Sequence, residues 1–367
     1  MSCNTHANGK NANQPCQPKQ PIKPMQAISA IRNPDTVGRE VGKEKVFIFQ
    51  SLPNRTVGMD QINFSDKIVN NQKDEGDGVI GYYENPPNFV PTLRSGSKLV
   101  STIYDDIVHV YGVNEQTGQI SLMSPVFSPV KNAHALYNNF ATCSNPNDDG
   151  KGYLYFQKYA PTFLTVHMYL WHIVRASALS ALLTLDYRKN ERDVTYIFEK
   201  DLSDPDSEPS LVDKTNDADD GTDIIAFHDG EHRWILYQTT SGRNKKNLLL
   251  RCVDNQEHDE IPSLGGCIDS NSVARIAAVH ARSDKEQVDE VFVYLAGQGN
   301  QLWRSRATIS NGTPTFGRAK ELTKDTYIND WTSMSIVADP IKRENLIFTI
   351  TEKGKAISLN RDVWGKE

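Results

Sequence analysis

The sequence predicts an all-β fold, a six-bladed β-propeller, and three observations carry that expectation. Apolar runs with a period of two alternate with Gly/Asn/Asp/Pro clusters from Met25 almost to the C-terminus, the mark of strands joined by turns. One unit is written six times: a small-residue strand, an aromatic or aliphatic strand, a polar turn and a third strand. Repetition at roughly 40–60 residues, with strands following strands, favours a radial ring of sheets over a sandwich.

Taken in order, "AISAI" leads into "KVFIFQ" and "GMDQINF", and "KLVSTIYDD" into "IVHVYG" and "GQISLMS". "HALYNNFA" leads into "GYLYFQ", and "DIIAFHDG" into "RWILYQ" and "NLLLRCV". "VARIAAVHA" leads into residues 290–309, where two alternating runs flank a turn built on Gly297, Gly299 and Asn300. "TSMSIVAD" leads into "NLIFTI" and "KAISLN". The first strand of each unit is expected to line the central channel. Crowding there accounts for the Ala and Ser of "AISAI", "ARIAAV" and "SMSIV". Residues 25–367 are read as one propeller domain, and 1–24, rich in Asn, Gln, Pro and Lys, as a disordered tail.

One stretch breaks the pattern. Residues 166–187, "VHMYLWHIVRASALSALLTLDY", lack turn residues and read as an inserted apolar or amphipathic helix. His and Arg interrupt it too often for a membrane span. A second reading is a gene-model artefact, because codons for its Val-His start, its Leu-Thr and the final Asp-Tyr-Arg can supply the three signals of a short retained intron. Both readings stand at this point.

Composition narrows the function. The chain has 367 residues and a net charge of −6 with interspersed signs, so no basic stripe points to nucleic acid. The acidic segment 201–221, "DLSDPDSEPSLVDKTNDADDG", reads as a solvated loop, since its spacing fits no EF-hand. Cys3, Cys16, Cys143, Cys252 and Cys267 are odd in number and form no CxxC pair, which points to neither a disulfide framework nor zinc. The N-terminus carries no apolar signal core, and a cytoplasmic location is the expectation. GxGxxG, Walker, GxSxG and HExxH motifs are missing from the sequence, so no cofactor or metal is expected.

An apolar-aromatic strand ending in Gln, then a turn, then Ile-x-x resembles the blades of fungal fucose-binding lectins, a family of six-bladed propellers. The resemblance covers roughly residues 25–364. It implies sugar held between adjacent blades by an Arg early in the second strand, a Glu at the end of the third, and an aromatic ring. Such groups suit the task, because guanidinium and carboxylate grip vicinal hydroxyls while the ring covers the apolar sugar face. Here the Arg position holds Val46, Val108, Tyr153, Trp234, Val291 and Leu346. Arg233 is one residue off, on the opposite face of its strand. The Glu position holds Phe64, Leu122, Arg251, Arg304 and Leu359. No blade lines up both charged groups.

A lectin-like scaffold without sugar-gripping charges is similar to the fungal hetero-Diels–Alderases of tropolone sesquiterpenoid pathways. That resemblance implies a cofactor-free pericyclase joining a tropolone o-quinone methide to a hydroxylated humulene through a dihydropyran ring. Its partners would be apolar polyketide- and terpene-derived small molecules. A cycloaddition needs no nucleophile; it needs two partners held in near-attack geometry and a hydrogen-bond donor at the carbonyl. Candidate donors and aromatics on or just after the channel strands are Tyr104, His134, Tyr137, His228, His280 and Trp331. His228 and His280 follow "IAF" and "AAV" and are expected to point the same way around the ring. The plainer reading of each is that it satisfies backbone groups at a blade end. Trp234 and Trp303 read as packing between blades, and Arg251 and Arg304 as solvated outer-strand residues.

Overall fold

The computed structural model describes residues 26–36, 44–63, 91–148, 150–159, 194–241, 245–255, 259–260, 264, 267–268, 273–283, 286–297, 301–310, 313–322, 333–350 and 357–365. They form six antiparallel sheets, each a continuous piece of chain. The first blade pairs Ile28–Arg32, Lys45–Ser51 and Val57–Asn63. The second pairs Leu99–Tyr104, Ile107–Val113, Gln119–Ser124 and Ser128–His134. The third pairs Phe140–Ser144, Gly152–Tyr159, Thr195–Asp201 and Ser210–Leu211. The fourth pairs Ile225–His228, Arg233–Ser241, Lys245–Cys252 and Asp259–Glu260. The fifth pairs Arg275–Ser283, Val288–Ala296, Leu302–Ser310 and Thr313–Phe316, with Lys320–Glu321 also on its third strand. The sixth pairs Ser335–Asp339, Glu344–Ile350 and Ile357–Val363.

The innermost strands contact one another in ring order, and Ser335–Asp339 meets Ile28–Arg32 to close the circle. The fold is therefore the six-bladed β-propeller that the repeats predict. Its core is not central. Six buried clusters lie between successive blades, one for each neighbouring pair. Alternate side chains of each second strand face opposite neighbours: Trp234 and Leu236 pack toward the fifth blade, Ile235 and Tyr237 toward the third.

Serine on the inner strands has a second cause besides crowding. An innermost strand presents a free edge whose N–H groups need partners. Ser333 Oγ accepts from the Ile28 N–H at 3.0 Å and Ser335 Oγ from the Ala30 N–H at 2.7 Å, so the sixth blade caps the edge of the first. The Gln at the end of the second strand is a blade-to-blade latch in the third and fourth blades, whereas Gln50 bonds Asp60 within the first. Gln157 donates to Asp219 O (2.9 Å) and accepts from the Gly221 N–H (2.9 Å). Gln238 accepts from the Ala274 N–H (2.7 Å) at the entry to the fifth blade.

Two expectations need correction. The acidic segment 201–221 exposes Asp204, Asp206, Glu208, Asp213 and Asp220 as a solvated loop would, but it is not loop throughout: it supplies the two-residue fourth strand of the third blade and a short 3₁₀ turn, Thr215–Asp217. It also wraps the buried Lys200 ammonium, which donates to Asp204 O (2.8 Å), Pro205 O (3.2 Å) and Ser207 Oγ (2.7 Å). Arg251 and Arg304, expected in solvent, are both buried. Residues 1–24 and the inserted segment 166–187 lie outside the described residues. Among the described residues no helix is long and apolar enough to cross a membrane. Cys143 and Cys252 are buried free thiols, and Cys267 is a half-buried one.

Candidate functional site

At the mouth where the inner strands begin, polar side chains join blades. Ser97 Oγ accepts from the Val113 N–H and Thr222 Oγ1 from the Gln238 N–H, each at 2.8 Å. The residues that follow, Lys98 and Asp223, therefore occupy equivalent places two blades apart. Lys98 Nζ reaches Asp223 Oδ1 at 2.5 Å and Ile224 O at 2.8 Å, while Asp223 Oδ2 accepts from the Ile276 N–H at 3.2 Å. The pair is buried and well partnered, which is the condition for a buried ion pair to be tolerated. It ties three blades together.

The opposite mouth holds a different assembly, in the cleft between the third and fourth blades. Arg233, first residue of its strand, sends Nη1 to Glu199 Oε1 of the third blade at 2.6 Å and Nε to Asp254 Oδ1 at 2.9 Å. Its guanidinium carbon sits 4.6 Å from the centre of the Tyr153 ring. Tyr155 donates to Glu199 Oε2 at 2.7 Å, above the buried Cys143. Burial pushes the Glu199 carboxyl above its ordinary value, against the pull of Tyr155 and Arg233. Burial acts the same way on Asp254, but the hydrogen bonds of Arg233 win and hold it low. Burial also pushes the Cys143 thiol up, so it is no thiolate. Arginine, carboxylate and aromatic ring thus meet here, with the carboxylates coming from Glu199 and Asp254, as they also do where Arg306 pairs with Glu290 over the Phe292 ring.

His228 shares this cleft. It stands opposite Arg233 in the hairpin register and so on the same face, whereas Phe227 and Trp234 face the fifth blade. Its Nδ1 accepts from the Gly230 N–H at 2.9 Å. Burial lowers the His228 pKa, which keeps the ring neutral.

The other predicted residues scatter. His280 lies between the fourth and fifth blades, its Nε2 at 2.7 Å from Asp289 Oδ1 and its ring stacked on Phe227 at 5.9 Å. Like His228, it faces the preceding blade, as expected, but it lies three residues before the end of its strand, whereas His228 is the last residue of its own. Tyr104 is buried, bonded to Tyr111 Oη at 2.7 Å and stacked on His109 at 3.8 Å. A Cβ on Gly152 would come within 2.8 Å of the Tyr104 ring, so that glycine makes room for it. His134 ends the outermost strand of the second blade and is exposed. Tyr137 precedes the inner strand of the third blade, and burial with Asp220 beside it raises its phenol to about 12. Trp331 lies outside the described residues.

The positions aligned with a sugar-binding Arg are filled by packing. Val46 and Leu346 bury together between the sixth and first blades, and Trp234 and Val291 between the fourth and fifth. Trp303 packs against the same cluster as Trp234. Arginines on the third strands of the fourth, fifth and sixth blades are held by the protein itself. Arg304 reaches both oxygens of Asp362, at 2.7 and 2.8 Å, and Arg306 holds Glu290 at 2.5 and 2.7 Å. Arg361 pairs with Glu344, and Arg251 donates to Asp213 O at 3.2 Å. Among the described residues no group of three His, Cys, Asp or Glu side chains could hold a metal ion. Sequence reading missed Glu199 and Asp254; the signal was Arg233 itself, whose charge on a blade face calls for a neighbouring acid.

No protein-family model matches the chain, and no curated protein matches it either. Solved structures do. The six-bladed lectin of Aleuria aurantia, described with a novel fucose recognition mode, superposes with a TM-score of 0.56 at 14% identity, over 94% of this chain and 95% of that one. SapL1 lectin in complex with α-methyl fucoside gives 0.52 at 13%, over 94% and 97%. AofleA of Arthrobotrys oligospora gives 0.57 at 11%, over 94% and 84%. The chain thus has the fold of the fungal fucose-lectin-like six-bladed β-propellers.

Proposed function

We propose that the chain is a cofactor-independent hetero-Diels–Alderase, a pericyclase joining a tropolone o-quinone methide to a humulene-type sesquiterpene alcohol through a dihydropyran ring. The observation that carries the reading is the fate of the lectin charges. Val46, Trp234, Val291 and Leu346 are fully buried at the aligned second-strand positions. Arg304 and Arg306, on a third strand, are held by carboxylates of the protein itself. A lectin-like scaffold so altered favours apolar guests over polyols, and the reaction proposed asks for placement rather than reactive side chains. Near-attack positioning alone can supply about 7–11 kcal/mol. The test is incubation of the purified protein with a quinone-methide precursor and the terpene alcohol against a protein-free blank. A gain in rate and a single stereoisomer support the reading, and identity with the blank removes it.

A second reading has one observation in its favour. Arg233, Glu199, Asp254 and Tyr153 bring guanidinium, carboxylate and ring together in one cleft between blades, the elements of a single sugar site with an altered preference. Specific binding on a glycan array, abolished by Arg233→Ala, would favour it.

A further inference from the structure

We propose that the cleft between the third and fourth blades receives the carbonyl of a planar conjugated ketone, with the Nε2–H of neutral His228 as its hydrogen-bond donor. The inference rests on the cycloaddition reading and locates its electrophile. The tautomer follows from geometry. A backbone N–H can only donate, so the Gly230 N–H at 2.9 Å from His228 Nδ1 leaves that nitrogen unprotonated, and the neutral ring carries its proton on Nε2. Nε2 meets no hydrogen-bond partner among the described residues, and the side chain is half-buried.

The turn that sets this geometry is rigid. Gly230 has φ 107°, a conformation that favours glycine. Asp229 Oδ1 accepts from the N–H groups of Glu231 (2.8 Å) and His232 (2.7 Å), and Oδ2 from Trp234 Nε1 (2.7 Å). Asn147 of the third blade donates to Gly230 O at 2.7 Å and braces the turn across the cleft. A donor held this way needs little reorganisation when charge develops on its acceptor.

The chemistry of the ligand follows from the neighbours. Glu199 and Asp254 balance Arg233 and disfavour an anion in the cleft. What remains is a neutral donor beside the Tyr153–Arg233 stack. It suits an uncharged carbonyl whose oxygen becomes negative only as the reaction proceeds. His280 is set the other way: Asp289 takes its Nε2, so in the neutral ring its free nitrogen is an acceptor.

The test uses the full chain with tropone, the parent seven-membered ring ketone, as probe, and α-methyl fucoside as the competing class. Histidine ¹⁵N spectra of the wild type are expected to show the Nε2–H tautomer at His228, with that nitrogen shifted by tropone. Tropone binding is expected to weaken on the order of tenfold in His228→Phe and to persist in His228→Gln, whose amide can place a donor near Nε2. The proposal is overturned by an Nδ1–H tautomer, by no tropone binding to the wild type, by equal binding to His228→Phe, or by a cleft that takes only the fucoside. If His228 governs tropone binding but no cycloaddition is seen, the site stands and the enzyme reading falls. If cycloaddition proceeds unchanged in His228→Phe, the reverse holds.

Discussion

Tyr159 and Thr195 stand directly opposite each other in the third blade, register partners on strands that residues 160–194 separate in sequence. The two strands thus meet in register across that stretch, which is what both the inserted-helix and the retained-intron readings of 166–187 require. Elsewhere the same junction is short, as between Ser51 and Val57.

Replacing 160–194 by a four-residue turn should leave the propeller folded. Loop-closure entropy predicts a gain of about 2 kcal/mol, read as a higher urea midpoint. Loss of cooperative unfolding would show that the segment holds the blade together. Sequencing the spliced transcript separates the two readings: a read running in frame through 166–187 removes the intron.

Ring closure depends on Ser333 and Ser335. Each hydroxyl accepts a buried edge N–H of the first blade, and deleting it leaves that donor unpaired. Ser333→Ala and Ser335→Ala should each destabilise by about 1–3 kcal/mol. Hydrogen exchange at the Ile28 and Ala30 amides should quicken in step. Unchanged exchange at both amides would mean the seam is held by packing alone.

The fifth and sixth blades are joined by a buried network in which Arg304 holds Asp362, Tyr294 donates to Asp362 at 2.6 Å, and Asn345 donates to Tyr294 Oη at 2.6 Å. Asp362→Ala strands a buried guanidinium and should cost about 3–5 kcal/mol. The double change Arg304→Met with Asp362→Leu should recover most of that loss in denaturant titrations. Equal destabilisation by both would show that volume, not charge, governs the seam.

Period-two alternation made the strands legible, and the recurrence of small-residue strands gave the blade count. It did not give what lies across a blade face. Periodicity says that Arg304 and Trp303 point to opposite sides, but the acid that buries Arg304 comes from Asp362, a blade away. His228 and His280 do face the preceding blade alike, but the same limit hid their different distances from the turn: inner strands differ in length, Ile225–His228 against Arg275–Ser283. Matching tripeptides before each histidine therefore did not mark matching places. His134 failed for another reason, since the inner strand of the third blade begins at Phe140 and "HALYNN" is the passage into it. Of the candidate donors among the described residues, His228 alone falls beside Arg233, Glu199 and Asp254.

That cleft should give stability two opposed dependences on pH. His228 has its pKa lowered below the ordinary 6.5 by burial. The folded state then binds fewer protons than the unfolded chain, so stability is complete above 6.5 and falls as the pH drops toward the folded value. Glu199 has its pKa raised above the ordinary 4.5, again by burial, so its contribution is complete below 4.5 and is lost as the pH rises through the folded value. Urea midpoints measured between about pH 4 and 8 resolve the two. His228→Gln should flatten the acidic side of the profile relative to wild type, and Glu199→Gln should remove the loss on the rising side. A His228→Gln profile parallel to wild type throughout would mean that the imidazole is as free to charge in the fold as in the unfolded chain, and that the cleft is wetter than its geometry implies.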